Sequence, residues 1–501
     1  MNSTTILIII LSYFALLMLI SHFAGRKSTD NEAFFLGNRQ SPWWLVAIGM
    51  IGASVSGVSF ISVPGMVGNM QFTYMQTVIG FFFGYIVVAH VLLPLYYKLN
   101  LTSIYSYLGE RFGKVSYKTG SSFFLLSKTI GAAVRLYIVA LILQKLVADT
   151  WNIPFYITVS CILLLIWIYT FRSGIKSIVY TDTLQTIVMI AVLIIMIIKL
   201  MSFSSWNIQS LTNELINNEW SNIFVFKDWV SKQHFVKQFI SGIFIVIVMT
   251  GLDQDMMQKN LSCRSLKDAQ KNMYWYGFAF IPVNLLFLIL GFMIMWFAAQ
   301  NQLILPVKGD EILPFFASNY VGGSFMLLFV LGIIAAAFSS ADSALTALTT
   351  SFLVDILEID TKNKAKGKEK QVKDKEKHAK RTRIGVHAGI TLIFLFIILL
   401  FEKLNNTSVI DAIYIIVSYT YGPLLGMFAF GLFTKLKPLE KSVPFIAILS
   451  PLICYFLNQF TIKTFGYAFG YELLLLNGAL TFIGLLISTR YGNKNCRICN
   501  Q

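Results

Sequence analysis

Long apolar stretches separated by short polar breaks follow one another along this chain, starting at Ile6. An apolar helix needs about 20 residues to cross the roughly 30 Å hydrocarbon core of a bilayer, and the stretches recur at that length. We therefore predict about thirteen membrane-spanning helices, and an all-α polytopic membrane protein as the fold class. The approximate bounds of the predicted spans are 4–24, 43–68, 74–97, 119–147, 154–171, 176–200, 235–257, 273–298, 322–350, 384–402, 409–433, 443–460 and 470–489.

The composition excludes a soluble globular protein. Hydrophobic residues make up 56% of the 501 residues and charged residues 13%, and the mean hydropathy is +0.68. A soluble domain of any size could not cover so much apolar surface with polar side chains. The first stretch lacks the basic start and the small-residue cleavage site of a signal peptide, and Gly25-Arg26-Lys27 follows it. We therefore interpret it as a retained span.

Basic residues are distributed unevenly between alternate loops. Most of the 40 Lys and Arg residues fall in the loops after the odd-numbered spans and in the C-terminal tail, and basic residues resist translocation across a membrane. We therefore expect the N-terminus outside, the C-terminus in the cytoplasm, and a location in the cell inner (plasma) membrane. Because the net charge of +16 is spread over the loops of one side, it favours this topology over nucleic-acid binding.

The segment Thr361–Arg383 carries eleven basic and three acidic residues without apolar periodicity. We expect it to be a solvated, disordered loop on the cytoplasmic side. Its charge also suits contact with the anionic head groups of membrane lipid, which is the alternative interpretation.

The second span has the composition of an interrupted helix. Glycines, serines and a proline are interspersed through Gly49–Gly65, where a lipid-embedded helix should not lose main-chain hydrogen bonds. Such a sequence is tolerated where the released carbonyls face protein, water or an ion. A close helix crossing through small residues is the alternative interpretation.

The seventh span contains a second interruption near its inner half. Gly251 is followed by Asp253 and Asp255, and acidic residues inside a span are functional candidates. The alternative is that the span ends at Gly251 and that both acids lie in cytoplasmic water.

The two interrupted spans lie roughly 200 residues apart, which indicates two five-span halves of inverted topology, an arrangement in which broken helices mark the binding site. The expected order is a peripheral first helix with a cytoplasmic loop, a first repeat, an extracellular loop, a second repeat that includes the basic loop 359–385, and two peripheral helices with a cytoplasmic tail. These units correspond to residues 1–42, 43–200, 201–234, 235–433 and 434–501.

The ninth span carries a polar stripe. Ala336, Ser339, Ser340 and Ser343 fall at three- and four-residue spacing and therefore share one helix face. Hydroxyls and main-chain carbonyls are hard oxygen donors of the kind that suit Na+. The alternative is that the serines only join helices by hydrogen bonds.

Three charged residues lie deep in predicted spans: Asp182 in the sixth, Asp342 in the ninth and Arg135 in the fourth. Charges at such depth are costly unless they pair with each other, with an ion or with a charged substrate. Two interpretations remain open. Either Arg135 forms a structural salt bridge with one of the acids, or one acid contributes to a cation site and Arg135 is free to bind substrate.

Four stretches of the chain resemble the sodium:solute symporters, in the same order and topological position. They are Leu101–Phe112, Gly174–Gln185 with its Tyr-Thr-Asp core, Asp253–Lys259, and the Ser339-Ser340 pair. The resemblance covers nearly the whole chain and implies an inverted five-plus-five repeat core.

The resemblance also implies sodium sites. The ligands of the shared site would be the carbonyls or hydroxyls of Gly52, Val55, Ala336, Ser339 and Ser340. A second site, present in some relatives, would be formed by Asp182, Ser339, Ser343 and Asp342. The last of these positions is commonly a hydroxyl residue in the family, so Asp342 is a departure that leaves the number of sodium ions open.

The resemblance places the solute pocket in the second, third, fourth and seventh spans. The implied lining residues are Ser54, Ser56, Ser59, Gln76, Thr77, Arg135 and Asp253. The three serines are similar to the sialic-acid branch of the family, since the sugar branch carries amide side chains there. Arg135 favours an anionic substrate because a guanidinium binds a carboxylate through two hydrogen bonds. It lies about one helical turn beyond the carboxylate-binding arginine of that branch.

The predicted function is sodium-coupled import, by alternating access, of a small polar organic solute, for which sialic acid or another sugar-like compound is the candidate. Na+ is the expected cofactor, and a monomer is expected to suffice. The alternatives are a polar-pore channel and a proton-coupled transporter of the same architecture. An enzyme is not expected, because the sequence contains no nucleophile elbow, His-rich metal cluster or phosphate loop.

Overall fold

The computed structural model describes residues 3–25, 35–170, 175–227, 229–359, 369–404 and 409–498. Within these ranges the secondary structure is helical, apart from one isolated bridge between Ser41 and Cys263. The α-helices, numbered in chain order, are α1 (Ser3–Gly25), α2 (Trp43–Ser54), α3 (Gly57–Gly65), α4 (Val67–Met70), α5 (Tyr74–Val87), α6 (Leu93–Lys98), α7 (Ser106–Arg111), α8 (Lys114–Leu146), α9 (Phe155–Thr170), α10 (Ile175–Phe203), α11 (Ile208–Asn217), α12 (Phe235–Val246), α13 (Gln254–Leu261), α14 (Leu266–Gln300), α15 (Gly309–Asn319), α16 (Gly323–Ser351), α17 (Glu369–Leu404), α18 (Val409–Thr420), α19 (Gly422–Phe433), α20 (Val443–Phe465) and α21 (Leu473–Ile498). Turns of π-helix continue α5, α12 and α16, at Val88–Leu92, Ile247–Gly251 and Phe352–Ile356.

Many of these helices have the length and composition of membrane spans. Eight of the described helices are long and apolar enough to cross a membrane, and the number rises to 11 if each of three bent helix pairs is one span. Two shorter apolar helices, Phe155–Thr170 and Leu473–Thr489, coincide with the predicted fifth and thirteenth spans. The all-α polytopic fold class is confirmed, whereas the count of thirteen and the inverted repeat stay predictions.

Both predicted interruptions are present. The second span bends by 58° between α2 and α3, and the seventh span bends by 65° between the end of its π turn and α13. The first break falls at Val55 and Ser56, and the second at Leu252 and Asp253. The π turn Ile247–Gly251 leads directly into the second break, and turns of this type are frequent at functional sites.

A third bent span was not predicted from the sequence. The expected span 409–433 is divided at Tyr421 into α18 and α19, which are bent by 42°. Pro423 lies in the first turn of α19, where a missing N–H is tolerated but a continuing helix would lose a main-chain hydrogen bond. The Gly422-Pro423 pair is therefore the sequence signal for this bend.

The basic segment differs from the prediction. α17 begins at Glu369, so the main chain from 369 to 383 is helical, while residues 361–368 lie outside the described residues. Lys and Glu are strong helix formers, and an acidic residue four positions before a basic one, as at Glu369 and Lys373, supports a helix. The expectation of a disordered loop is therefore wrong for this part of the segment.

α10 and α16 lie at the centre of the packing. α10 packs against α16 and α2, and α16 also contacts α3, α8 and α13. Every residue from Gly332 to Ser351 in α16 is buried, so the hydroxyls and the carboxylate of this stretch must find partners inside the protein. Both broken spans therefore lie beside the same buried polar stretch.

Candidate cation and solute sites

The break between α2 and α3 changes the main-chain hydrogen bonding of the second span. Val55 has non-helical dihedral angles (φ −78°, ψ 82°), and the N–H of Ser56 donates to the Ser54 carbonyl at 3.0 Å. In an unbroken helix the same N–H would donate to the carbonyl of Gly52. The break therefore releases the Gly52 carbonyl for another donor or for a cation.

The Ser340 hydroxyl of α16 lies against this break. Its Oγ is 3.5 Å from the carbonyl oxygen of Ala53 and 3.1 Å from that of Ala336. The structure thus brings two carbonyls and one hydroxyl together at the contact between the second and ninth spans. The carbonyl that touches Ser340 is that of Ala53, which lies between the predicted ligands Gly52 and Val55.

The other two serines of the stripe face a different partner. Ser339 donates to Oδ1 of Asp182 at 2.8 Å, and Ser343 donates to Oδ2 of the same carboxylate at 3.1 Å. Ser339 and Ser340 are adjacent in sequence, yet their hydroxyls contact α10 and α2 respectively. The structure therefore groups Ser339 with the predicted second site rather than with Ser340.

A lysine that the sequence analysis missed completes the Asp182 cluster. The Nζ of Lys259, on α13, lies 2.8 Å from Oδ2 of Asp182 and 3.6 Å from Oδ1 of Asp255, and these side chains are buried. Lys259 belongs to the Asp253–Lys259 motif, but its position just after a break made it look like a cytoplasmic flank. The available sequence signal was the presence of Asp253 and Asp255 in the same motif as Lys259.

Asp342 has a different environment from Asp182. One of its oxygens accepts a hydrogen bond from the Tyr169 hydroxyl at 2.9 Å, and the other accepts one from the Ser343 N–H at 2.6 Å. Within the described ranges Asp342 forms no ion pair, and the salt bridge considered between Arg135 and Asp182 or Asp342 is not formed. The partner of Asp182 is Lys259 instead.

The two acids of the seventh-span break are buried rather than exposed to water. Asp253 and Asp255 both pair with Lys128 of α8, at 3.1 and 2.8 Å. Asp253 also accepts a hydrogen bond from the Tyr421 hydroxyl at 2.7 Å and caps α13 by accepting the Asp255 N–H at 2.9 Å. The alternative that these acids lie in cytoplasmic water is therefore wrong. Lys128, in the middle of the predicted fourth span, was missed.

The released carbonyls of the seventh-span break already have protein donors. The Tyr96 hydroxyl donates to the Gly251 carbonyl at 2.8 Å, and the Tyr105 hydroxyl donates to the Leu252 carbonyl at 2.7 Å. This break therefore has little need of an ion. At the second-span break, the side-chain donor found for a main-chain carbonyl among the described residues is the Ser340 hydroxyl, at 3.5 Å from the Ala53 oxygen.

A cavity lies between the two breaks. Five of the predicted solute-binding residues line it, namely Ser54, Ser56, Ser59, Arg135 and Asp253. Aromatic side chains form much of the remaining wall, among them Tyr74, Phe81, Tyr85, Tyr276, Phe280, Tyr414 and Tyr421. Hydroxyls, charged groups and ring faces thus surround one space, which suits a polar organic molecule.

Gln76 and Thr77, also predicted to bind solute, do not line this cavity. The Gln76 side chain donates to the Gln233 carbonyl at 2.9 Å and accepts the N–H of Val225, and Thr77 donates to Gln238. Both are occupied in joining the start of α5 to α12 and to the segment before it. In this structure the two residues therefore lie outside the cavity that the other five predicted residues line.

The donor atoms near Ser340 suit Na+ better than a transition metal. Neutral carbonyl and hydroxyl oxygens are the ligands that hard cations prefer, whereas zinc and its neighbours select thiolate and imidazole. Over the described residues no group of three or more His, Cys, Asp or Glu side chains is placed to hold a metal ion. The site is thus chemically fit for a monovalent cation that passes through as cargo.

The family comparison agrees with this chemistry. The profile of the Sodium:solute symporter family matches residues 34–437, which is most of the chain. The chain belongs to this family. This sodium:solute symporter is accordingly a multi-pass inner-membrane protein that couples solute transport to Na+.

Two relatives and one solved structure are similar to this symporter over most of its length. It is 25% identical over 439 residues to the sodium/sialic acid symporter NanT of Aliivibrio fischeri (strain ATCC 700601 / ES114), covering 85% of this chain and 83% of that protein. It is 22% identical over 437 residues to the sodium/sialic acid symporter SiaT of Proteus mirabilis (strain HI4320), covering 85% and 84%. Its fold is similar to that of a Na+-coupled sialic acid symporter in a substrate-bound outward-open state, with a TM-score of 0.79, 20% identity, and coverage of 97% and 98%.

Proposed function

We propose that this symporter imports an anionic, sugar-like solute of the sialic acid type and that Arg135 binds the carboxylate of that solute. The relatives NanT and SiaT are sodium/sialic acid symporters, and the cavity offers the hydroxyl, aromatic and cationic groups that a sugar acid requires. Ser54, Ser56 and Ser59 supply hydrogen bonds to solute hydroxyls, and aromatic ring faces pack against the sugar ring.

The observation that carries this proposal is that Arg135 lines the cavity without forming an ion pair. Lys128 is neutralised by Asp253 and Asp255, whereas Arg135 has no carboxylate partner in the part of the chain that the structure describes. Arg135 therefore presents its guanidinium at the cavity wall without a direct ion-pair partner among the described residues. A guanidinium in that position favours a ligand carboxylate, which it binds through two parallel hydrogen bonds.

The proposed sodium site is the contact between Ser340 and the second-span break, with the Gly52, Ala53, Val55 and Ala336 carbonyls as further ligands. Na+ bound there holds α2, α3 and α16 together, which completes the solute cavity beside them. Sodium and solute then raise the affinity for each other by the same factor. One Na+ carried with one monovalent anion moves no net charge, so the Na+ concentration gradient drives the accumulation; each further Na+ would add about 2.3 kcal/mol per 100 mV.

The proposal includes the topology and assembly predicted from the sequence. The N-terminus lies outside and the C-terminus in the cytoplasm, 43–200 and 235–433 are the inverted repeats, and 1–42 and 434–501 are peripheral. The extracellular segment 201–234 joins the repeats. A monomer in contact with membrane lipid carries out transport, without enzymatic activity and without a nucleic-acid partner.

Counterflow uptake in proteoliposomes tests the substrate class. Vesicles loaded with unlabelled sialic acid, with equal Na+ on both sides, should take up labelled sialic acid, because exchange requires that the cavity recognise this solute. A neutral hexose or a short monocarboxylate inside should support little exchange. Exchange supported equally by the neutral hexose would contradict recognition of an anion.

Arg135 variants test the role of the guanidinium. Arg135→Gln removes the charge and the fork of donors, and we expect the half-saturating sialic acid concentration to rise about 10- to 100-fold, as for loss of a charge-assisted pair. Arg135→Lys should recover part of the affinity, because a lysine supplies charge but not bidentate geometry. Lys145→Gln, near the end of the same helix and exposed, is the matched control and should leave the affinity unchanged.

A further inference from the structure

Asp182 lies in a cage of oxygen atoms that resembles a cation site. Its two carboxylate oxygens accept hydrogen bonds from Ser339 and Ser343 at 2.8 and 3.1 Å. The side chain is fully buried, and a buried carboxylate requires a positive charge close by. A negative charge with neighbouring hydroxyls is the donor set of a second sodium position.

That position already contains a positive charge from the chain itself. The ammonium nitrogen of Lys259 is 2.8 Å from Oδ2 of Asp182, and the exposed fractions of the two side chains are 1% and 0%. This is the oxygen that also accepts the Ser343 hydroxyl. A sodium ion on the same carboxylate would lie next to the ammonium, in a buried environment where repulsion between like charges is strong.

The surroundings of Lys259 keep the ammonium in place. Lys259 extends from α13, the inner half of the broken seventh span, towards α10, and its second contact is Oδ1 of Asp255 at 3.6 Å. Asp255 has Lys128 as a closer partner at 2.8 Å. Lys259 is therefore needed chiefly by Asp182, and its removal would leave Asp182 uncompensated but Asp255 still paired.

The Ser340 site differs in this respect. Among the described residues, no basic side chain is hydrogen bonded or ion paired to Ala53, Ala336 or Ser340. We propose that the Lys259 ammonium takes the place of a second sodium ion at Asp182, so that this symporter binds a single Na+, at the Ser340 site. The inference rests on the proposed sodium coupling and adds its stoichiometry.

Equilibrium binding of ²²Na+ to the purified full-length protein in nanodiscs tests this inference directly. The wild type should bind about one Na+ per molecule at saturation, with a Hill coefficient near one for sodium activation of uptake. Binding of two ions by the wild type would overturn the inference and leave sodium coupling intact. Absence of ²²Na+ binding together with sodium-independent uptake would instead overturn the proposed function.

Substitution of Lys259 provides the second test. Lys259→Met removes the charge at similar length, and we expect the bound sodium to rise to about two per molecule and the Hill coefficient to rise above one. Lys259→Arg should keep the wild-type count, because it restores a fixed cation. In Lys259→Met combined with Asp182→Asn, the count should return to one, because the carboxylate that holds the second ion is gone.

A folded Lys259→Met protein that still binds a single ion would overturn the inference. Folding is checked by a monodisperse elution profile and by binding of the labelled solute. If the methionine variant does not fold, the wild-type count and the arginine variant decide the question, since both retain a cation at position 259.

Discussion

Ser339, Ser340 and Ser343 lie on one stripe of α16, yet their hydroxyls serve two clusters. Ser340 contacts the Ala53 carbonyl, whereas Ser339 and Ser343 contact Asp182. The stripe and its burial followed from residue spacing in the sequence. The division between two partners depends on how α2 and α10 are rotated about α16, which spacing within a single helix does not determine.

Removal of the Ser340 hydroxyl should weaken sodium dependence specifically. In Ser340→Ala one of the oxygens at the second-span break is lost, and we expect the half-activating sodium concentration to rise about 10-fold or more, the effect of about 1.4 kcal/mol of lost binding. Sodium titration of solute uptake in proteoliposomes is the measurement. Ser450→Ala is the control, because Ser450 is a buried serine of α20 that donates to the Asn477 carbonyl of α21 and belongs to neither site. Unchanged sodium activation in Ser340→Ala would mean that this hydroxyl only joins helices.

The buried charges show where residue-level prediction succeeds and fails. Asp182 and Asp342 were predicted to be buried and functional because they stand inside apolar spans. The partner of Asp182 was missed, because Lys259 is 77 positions away in sequence and no local pattern connects the two. Lys128 was also missed, although it stands inside the predicted fourth span and its position alone marks it as an intramembrane charge.

At the scale of helices, the breaks of the second and seventh spans differ in which groups donate hydrogen bonds to their released carbonyls. At the seventh span, Tyr96 and Tyr105 donate to Gly251 and Leu252. At the second span, the Ser340 hydroxyl is the contact found for the Ala53 carbonyl. The proposed sodium ion would therefore satisfy carbonyls at the second break, a role that protein donors already fulfil at the seventh.

Loss of a tyrosine donor should destabilise the seventh-span break. Tyr105→Phe leaves the buried Leu252 carbonyl without its donor, and we expect the free energy of unfolding in mixed micelles to fall by about 1–3 kcal/mol. Tyr156→Phe, at a side chain that is 56% exposed, should change it by less than about 0.5 kcal/mol. Equal stability of both variants would show that the carbonyl is satisfied in another way.

Close packing of α2 on α10 depends on glycine. A methyl group at Gly52 would overlap the Thr186 hydroxyl, so Gly52→Ala should lower the free energy of unfolding by about 1–3 kcal/mol through overpacking. Adding Thr186→Ala should recover part of that loss, because it removes the overlapping hydroxyl. Gly389→Ala in α17, where a methyl group meets no atom within 4 Å, is the control. A Gly52→Ala protein as stable as the control would contradict the close contact.

The helix breaks were predicted correctly where residues at the break itself signal it. Glycine, serine and proline within Gly49–Gly65 predicted the first break, and Gly251 with its two acids predicted the second. The bend at Tyr421 was missed although Gly422-Pro423 signals it, because the surrounding stretch is mostly apolar and was interpreted as one continuous span. The helix that begins at Glu369 was missed because its many charged residues were interpreted as a solvated loop, whereas Lys and Glu also favour a helix.

For the whole molecule, apolar length alone was sufficient to predict the fold class. The described helices and bent pairs account for up to 11 long spans and two shorter apolar helices, close to the pattern of the sequence. The cavity could not be predicted in detail, because Gln76 is hydrogen bonded to the segment before α12 and Thr77 to α12 itself. Contacts of that kind arise from long-range packing and leave no periodic signal.

The central claim is that sodium entry drives solute uptake through the contact between the second and ninth spans. Accumulation of labelled sialic acid in proteoliposomes under an imposed gradient is the direct measurement. An inward Na+ gradient should drive transient accumulation above the external concentration, and an inward proton gradient without Na+ should not. Accumulation that is indifferent to Na+ and follows the proton gradient would contradict the account.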